Sequence, residues 1–131
     1  MTIDEPRHMI ILTPNAPQPI GPYSQAIREG DLLFCSGQIA LDPVSGAMKN
    51  SSIEEETNQV LANMSEVLKA GGATMASVIK TTIFLTDMND FAKVNELYAA
   101  AFGDAKPART TIAVTALPKG GRVEIECIAK V

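Results

Sequence analysis

Two segments, Leu32–Leu41 and Val78–Leu85, carry apolar residues on both faces of any strand they could form. Side chains alternate across a strand, so LLFCSGQIAL and VIKTTIFL each need cover on two sides. The chain offers helical cover for one side only. Ser52–Ala70 places Ile53, Val60, Leu61, Met64, Val67 and Leu68 on one stripe, with Glu54, Glu56, Asn63 and Lys69 largely outside it. Phe91–Phe102 does the same with Phe91, Val94, Tyr98, Ala101 and Phe102. With these two, the strand candidates are His8–Leu12, Ser24–Glu29, Asp31–Leu41, Val78–Thr86, Arg109–Val114 and Val123–Val131. This order predicts an α+β sandwich, one sheet with two helices on one face. The other face is left bare, and large apolar faces are unusual in monomers, so a closed homo-oligomer is expected to bury it.

Local signals fit that plan. Ser52 with Glu55 forms a capping-box pattern, and Gly71-Gly72 supplies the stop of the first helix. In Val123–Val131, Val123, Ile125, Cys127, Ala129 and Val131 fall on one side and Glu124, Glu126, Ile128 and Lys130 on the other. Thr13–Tyr23 holds Pro14, Pro17, Pro19 and Pro22, which forbid helix and force an extended path. Lying between two strands, this segment reads as an ordered wall rather than a linker.

The 131 residues favour a single domain over 1–131, and 46% hydrophobic with 20% charged residues is ordinary globular composition. The net charge of −4, with no run of Lys and Arg, disfavours a nucleic-acid binder. Cys35 and Cys127 form no CxxC and sit in apolar runs, so they read as buried free thiols in a reducing compartment. Met1–Arg7 has neither a signal-peptide stretch nor transit-peptide character, and no apolar run approaches the roughly 20 residues of a membrane helix. A cytoplasmic protein is expected.

Few residues can carry chemistry. One histidine, His8, and two dispersed cysteines give no metal-ligand spacing. Ser36, in Cys35-Ser36-Gly37-Gln38, lies in no nucleophile elbow, and the glycine pairs lack the context of a phosphate loop. Two candidates remain. Arg109 follows Pro107 at a strand entrance, where a planar guanidinium could clamp a carboxylate. By itself, a solvated surface arginine is the simpler reading. Glu124 lies on the strand face opposite a purely apolar one and could serve as a base toward water. The plain alternative is a surface glutamate paired with Lys130.

Six segments in register shift that balance: Ile20–Gln25 (IGPYSQ), Ser36-Gly37-Gln38, Val78–Thr82 (VIKTT), Asp90–Asn95 (DFAKVN), Pro107-Ala108-Arg109 and Val123–Glu126 (VEIE). Together, from about Thr13 to Val131, they resemble the reactive intermediate deaminase family, RidA, also called YjgF. The resemblance implies a chorismate-mutase-like sandwich assembled as a homotrimeric barrel, with sites in the clefts between subunits. It implies a cofactor-free hydrolase acting in metabolite damage control. That activity converts reactive enamines and imines such as 2-aminoacrylate, 2-iminopropanoate and 2-iminobutanoate to 2-keto acids and ammonia. Matched to the family's pattern, Arg109 grips the substrate carboxylate, Glu124 holds or activates water, and Tyr23 is the pocket tyrosine. Ser36 and Gly37 form a backbone wall, and Asn95 lies near the site. Thr111 stands where many members carry cysteine, which leaves any role of a thiol in doubt for this chain.

Two other readings stay open. An RNA-cleaving or translation-inhibiting protein, a role also attributed to the family, fits poorly with an acidic chain lacking Trp and holding one His. A non-catalytic ligand-binding or chaperone-like trimer could use the same carboxylate-binding arginine.

Overall fold

The computed structural model describes residues 8–131, so the reading of Met1–Arg7 lies outside the described residues. The strands are β1 (His8–Ile11), β2 (Ala26–Glu29), β3 (Leu32–Gln38), β4 (Val78–Leu85), β5 (Ala108–Ala113) and β6 (Val123–Lys130); the helices are α1 (Ile53–Ala70) and α2 (Phe91–Phe102). One six-stranded sheet runs in the order β1-β2-β3-β6-β4-β5. Only the β4–β5 pair is parallel, joined through α2; the other neighbours are antiparallel. β6, last in sequence, inserts between β3 and β4 and so lies near the middle of the sheet.

Both helices pack on the same face. Val60, Met64, Val67 and Leu68 of α1 and Val94 of α2 are fully buried against Leu33, Ile83, Leu85, Val123 and Ile125 of the sheet. Each such side chain contributes about 1.5–3 kcal/mol relative to exposure. The helix stop divides its work between two glycines. Gly72 takes the left-handed conformation at φ +87°, whereas Gly71 is small because a Cβ there would lie 2.5 Å from Leu33 Cδ2. The opposite face is open: Phe34 and Ile112 are 43% and 42% exposed. The expectation of one covered and one bare face is met.

Several local readings need correction. The strand drawn as Asp31–Leu41 ends at Gln38. The β3–β6 register slips between Cys35 and Gln38, so β3 holds one extra residue there, a β-bulge. The strand drawn from Ser24 begins at Ala26. Ser52 Oγ accepts the Glu55 N–H at 3.0 Å, but the Glu55 carboxylate accepts from Ser51 (3.1 Å) instead of Ser52.

The largest corrections concern Glu56 and Asn63, read as lying outside the apolar stripe. Both are buried. Glu56 accepts the N–H groups of Arg122 (2.6 Å) and Val123 (3.2 Å) and the Arg122 guanidinium (2.8 Å). Asn63 donates to the carbonyls of Ile39 (3.0 Å) and Leu41 (2.9 Å). A helix stripe computed from hydropathy treats these as surface residues, but each satisfies backbone groups that would otherwise be buried unpaired. The pairing considered for Glu124 and Lys130 is also absent: Lys130 Nζ lies 3.7 Å from Asp31.

Candidate functional site

The open side of the sheet carries a cavity of about 450 Å³ where the proline-rich segment, the β3 bulge and β6 meet. The proline-rich segment is an ordered wall because Gln25 holds it. Gln25 is buried; its Oε1 accepts the Thr13 N–H (2.7 Å), and its Nε2 donates to the carbonyls of Thr13 (3.1 Å) and Pro17 (2.9 Å). One glutamine side chain thus substitutes for the strand partner that prolines cannot supply. At the end of this wall the Ile20 N–H donates to Tyr23 Oη at 3.2 Å, which places the tyrosine ring on the cavity rim. In the bulge, Ser36 Oγ donates to the Ser24 carbonyl (2.6 Å) and the Ser36 N–H to the Gln25 carbonyl (3.0 Å).

Glu124 enters the cavity from β6, and Glu126 lines it beside Glu124. Glu56 grips the backbone at Arg122 and Val123, immediately before Glu124, so the carboxylate rises from a fixed strand end. Among the described residues Glu124 has no ion-pair partner and no hydrogen bond. Burial holds its proton affinity above the ordinary carboxylate range, and the negative charge of Glu126 adds to this. No Lys, Arg or His lines the cavity among the described residues. A half-buried, unpaired carboxylate with raised proton affinity is suited to taking a proton from water.

Arg109 lies elsewhere. Its Nη1 donates to Asn95 Oδ1 at 2.7 Å, and its guanidinium carbon stands 5.0 Å from the Tyr98 ring centre and 5.7 Å from that of Phe91. The two rings and the amide hold the fork by cation–π attraction and one hydrogen bond, leaving further N–H groups free to receive an anion. Tyr98 is itself fixed by a 2.7 Å hydrogen bond with the buried Thr81 hydroxyl. Burial raises the Tyr98 proton affinity, while the Thr81 bond and Arg109 pull it down. Asn95, Tyr98, Pro107 and Arg109 line a second cavity of about 420 Å³. Thr111 follows on the same side of β5, its hydroxyl buried without a partner among the described residues.

The structure therefore groups the candidates in two. Tyr23, Ser36, Gly37 and Glu124 share one cavity; Arg109 and Asn95 share another; Thr111 lies beside the second group. Arg109 pairs in register with Thr81, whose side chain points to the helices. Glu124 pairs with Phe84, whose neighbours Ile83 and Leu85 point to the helices. The cation and the carboxylate consequently lie on opposite faces of one sheet. Two inter-strand spacings, across β4, and three residues along the strands separate them, on the order of 14 Å between backbones.

Sequence reasoning missed Gln25, Glu56, Asn63 and Tyr98 as supporting residues. A buried polar residue in an apolar run is a faint signal, and only Tyr98 had been placed in the core. Cys35 and Cys127 are buried as expected and face each other across β3 and β6. The Cys35 thiol beside it, followed by burial, pushes the Cys127 thiol far up, which makes it a poor nucleophile. No helix of the described residues is long and apolar enough to cross a membrane.

Comparison with known proteins places this geometry in context. The family model described as Endoribonuclease L-PSP matches residues 13–131. A RutC family protein of Pyrococcus horikoshii is 52% identical over 120 residues, covering 92% of this chain and 95% of that protein. The 2-iminobutanoate/2-iminopropanoate deaminase of Mus musculus is 49% identical over 120 residues, covering 92% of this chain and 89% of its own. The crystal structure of E. coli TdcF with bound serine superimposes with a TM-score of 0.90 at 37% identity, covering 94% of this chain and 98% of that one.

Proposed function

The chain belongs to the Endoribonuclease L-PSP family, which includes the RidA (YjgF) proteins, and from that premise we propose that it is a 2-iminobutanoate/2-iminopropanoate deaminase. It hydrolyses reactive imines and their enamine tautomers to 2-keto acids and ammonia. The observation that carries this reading is a pair of charges that have no ion-pair partner among the described residues: a guanidinium fork at Arg109, held by Asn95 with N–H groups to spare, and a half-buried carboxylate at Glu124. A 2-imino acid presents the matching features, a carboxylate and an electrophilic C=N carbon.

In the proposed cycle Arg109, steadied by Asn95, binds the substrate carboxylate. Glu124 takes a proton from water as the water oxygen adds to the iminium carbon. Glu124 then returns that proton to nitrogen, the C–N bond breaks as the hydroxyl gives its proton back to Glu124 and the C=O bond forms, and the departing ammonia takes this last proton and leaves as ammonium, which resets Glu124. Tyr23 and the Ser36-Gly37 backbone wall the reacting carbon. Thr111 lies next to the carboxylate pocket. The iminium is already electrophilic, so positioning supplies most of the acceleration, and no cofactor takes part.

The opposite-face placement of Arg109 and Glu124 supports a closed homotrimer of single-domain chains in which one subunit supplies the fork and its neighbour the carboxylate. The same assembly covers the exposed Phe34 and Ile112. A cytoplasmic location accords with the two free thiols. Within one chain the cavity holds two carboxylates and, among the described residues, no cationic side chain; the single Arg109 that the neighbour would add is poor provision for a phosphodiester, which weighs against RNA as substrate. A ligand-binding trimer without catalysis is the remaining reading. The deciding assay couples the protein to a serine or threonine dehydratase and follows keto-acid release while the imine limits the rate. Faster release than with the dehydratase alone is expected; an unchanged rate contradicts the enzyme.

A further inference from the structure

Gly37 sits in the β3 bulge, directly under Glu124. A Cβ built on Gly37 would lie 2.1 Å from Glu124 Oε2, 2.9 Å from its Cδ and 3.1 Å from its Cγ. No ordinary contact is that short, so the carboxylate occupies the space that any side chain at this position would fill. The conformation of Gly37 is not left-handed, and no turn requires a glycine here. The three nearest atoms that oppose a side chain at Gly37 thus all belong to Glu124.

We propose that Gly37 is a positioning residue for Glu124: its missing side chain is the slot in which the carboxylate is seated at the cavity wall. The inference deepens the deaminase reading, because it assigns what fixes the proposed base. The bulge contributes by setting the Ser36-Gly37 backbone against β6, and Ser36 is tied to Ser24 and Gln25 so the slot cannot drift. The titratable groups of the cavity are Tyr23 from the proline-rich segment and Glu126 from β6 itself. Neither offers Glu124 a cation. The slot thus keeps the carboxylate partly withdrawn from water without neutralising it, consistent with the direction of its proton affinity.

A comparison between two glycines shows why the proposal is testable without unfolding the chain. At Gly71 an added Cβ would strike the buried Leu33 side chain, which is packed on every side. At Gly37 the obstructing atoms are the far end of a flexible, half-buried glutamate that can swing into the cavity. Gly37→Ala is therefore expected to keep its fold and lose its seat for Glu124.

The test is Gly37→Ala, read in two ways. The first is carboxylate NMR of the glutamates, with Glu124 assigned from the signal lost in Glu124→Gln. The Glu124 midpoint should fall towards the ordinary carboxylate range in Gly37→Ala, with the melting temperature unchanged. An unmoved midpoint overturns the proposal, and this readout stands whether or not the protein hydrolyses imines. The second is steady-state kinetics in the dehydratase-coupled assay. A misplacement of the base on the order of 1 Å should lower kcat by about a hundredfold with KM little changed. The shorter Glu124→Asp no longer reaches the slot, so adding Gly37→Ala to it should cost less than about threefold. Losses that multiply in the double variant contradict the slot. A wild type inactive on imines removes the deaminase reading, and the titration still decides the role of Gly37.

Discussion

The two faces of the sheet solve the same problem in opposite ways. On the helix face the chain completes itself: apolar residues meet α1 and α2, and Glu56 and Asn63 satisfy backbone groups of neighbouring segments. Even Arg109, at the margin, is ringed by Asn95, Tyr98 and Phe91. On the open face the chain stops short. Phe34 and Ile112 are uncovered, and no cation lines the cavity of Glu124 and Glu126 among the described residues. The difference teaches that rigidity and reach are separate requirements. A single sheet holds a cation and a carboxylate yet directs them apart, so the proposed chemistry, which uses both, calls for a second copy.

The predictions that could break this comparison follow from it. The largest effect belongs to the open face. Glu124→Gln removes the proposed base, and kcat should fall by about 10²–10⁴ with the fold intact. Its counterpart on the other face, Arg109→Ala, should lower kcat/KM by roughly 10- to 150-fold, chiefly through KM, as expected for losing a charged hydrogen bond of about 1.5–3 kcal/mol. Steady-state kinetics with full circular-dichroism spectra checks both. Equal losses in kcat for the two variants would erase the division into anchor and base.

Glu56→Ala probes the support behind the open face. It strips the acceptor from two backbone N–H groups and from Arg122, so denaturant unfolding should show a loss of about 3 kcal/mol. A change within 0.5 kcal/mol, roughly the scatter of surface substitutions, would mean the helix face is not closed in this way.

The smallest effect is electrostatic. The Glu126 charge opposes ionisation of Glu124, so Glu126→Gln should ease it and lower its pKa. If Glu124 must be ionised to act, the acid limb of kcat/KM then moves to lower pH. A limb that stays put, or moves up, assigns it to another group.

Much of the fold was legible from patterns that packing cannot disguise. The alternation in Val123–Val131 set the two faces of β6, and the two helical stripes set the covered side. What escaped were residues whose role depends on distant backbone. Glu56 lies 66 residues from Arg122 in sequence, and Asn63 24 residues from Ile39. Hydropathy could not show that a glutamate on α1 would be buried to hold β6. The site was legible in its members but not in its division. Arg109 and Glu124 could be singled out by chemistry and by resemblance. That they face apart follows from the pairing of β5 and β6 with β4, which no single-strand pattern contains.

The central claim is that the working site joins Arg109 of one chain to Glu124 of another. Its direct test is complementation. Differently tagged Arg109→Ala and Glu124→Gln chains are co-expressed, assemblies carrying both tags are purified, and imine hydrolysis is compared with each parent. In a closed ring of three, about one site in three regains both intact groups, and activity should recover to that fraction of wild type. Mixed assemblies no more active than their parents would contradict the shared site.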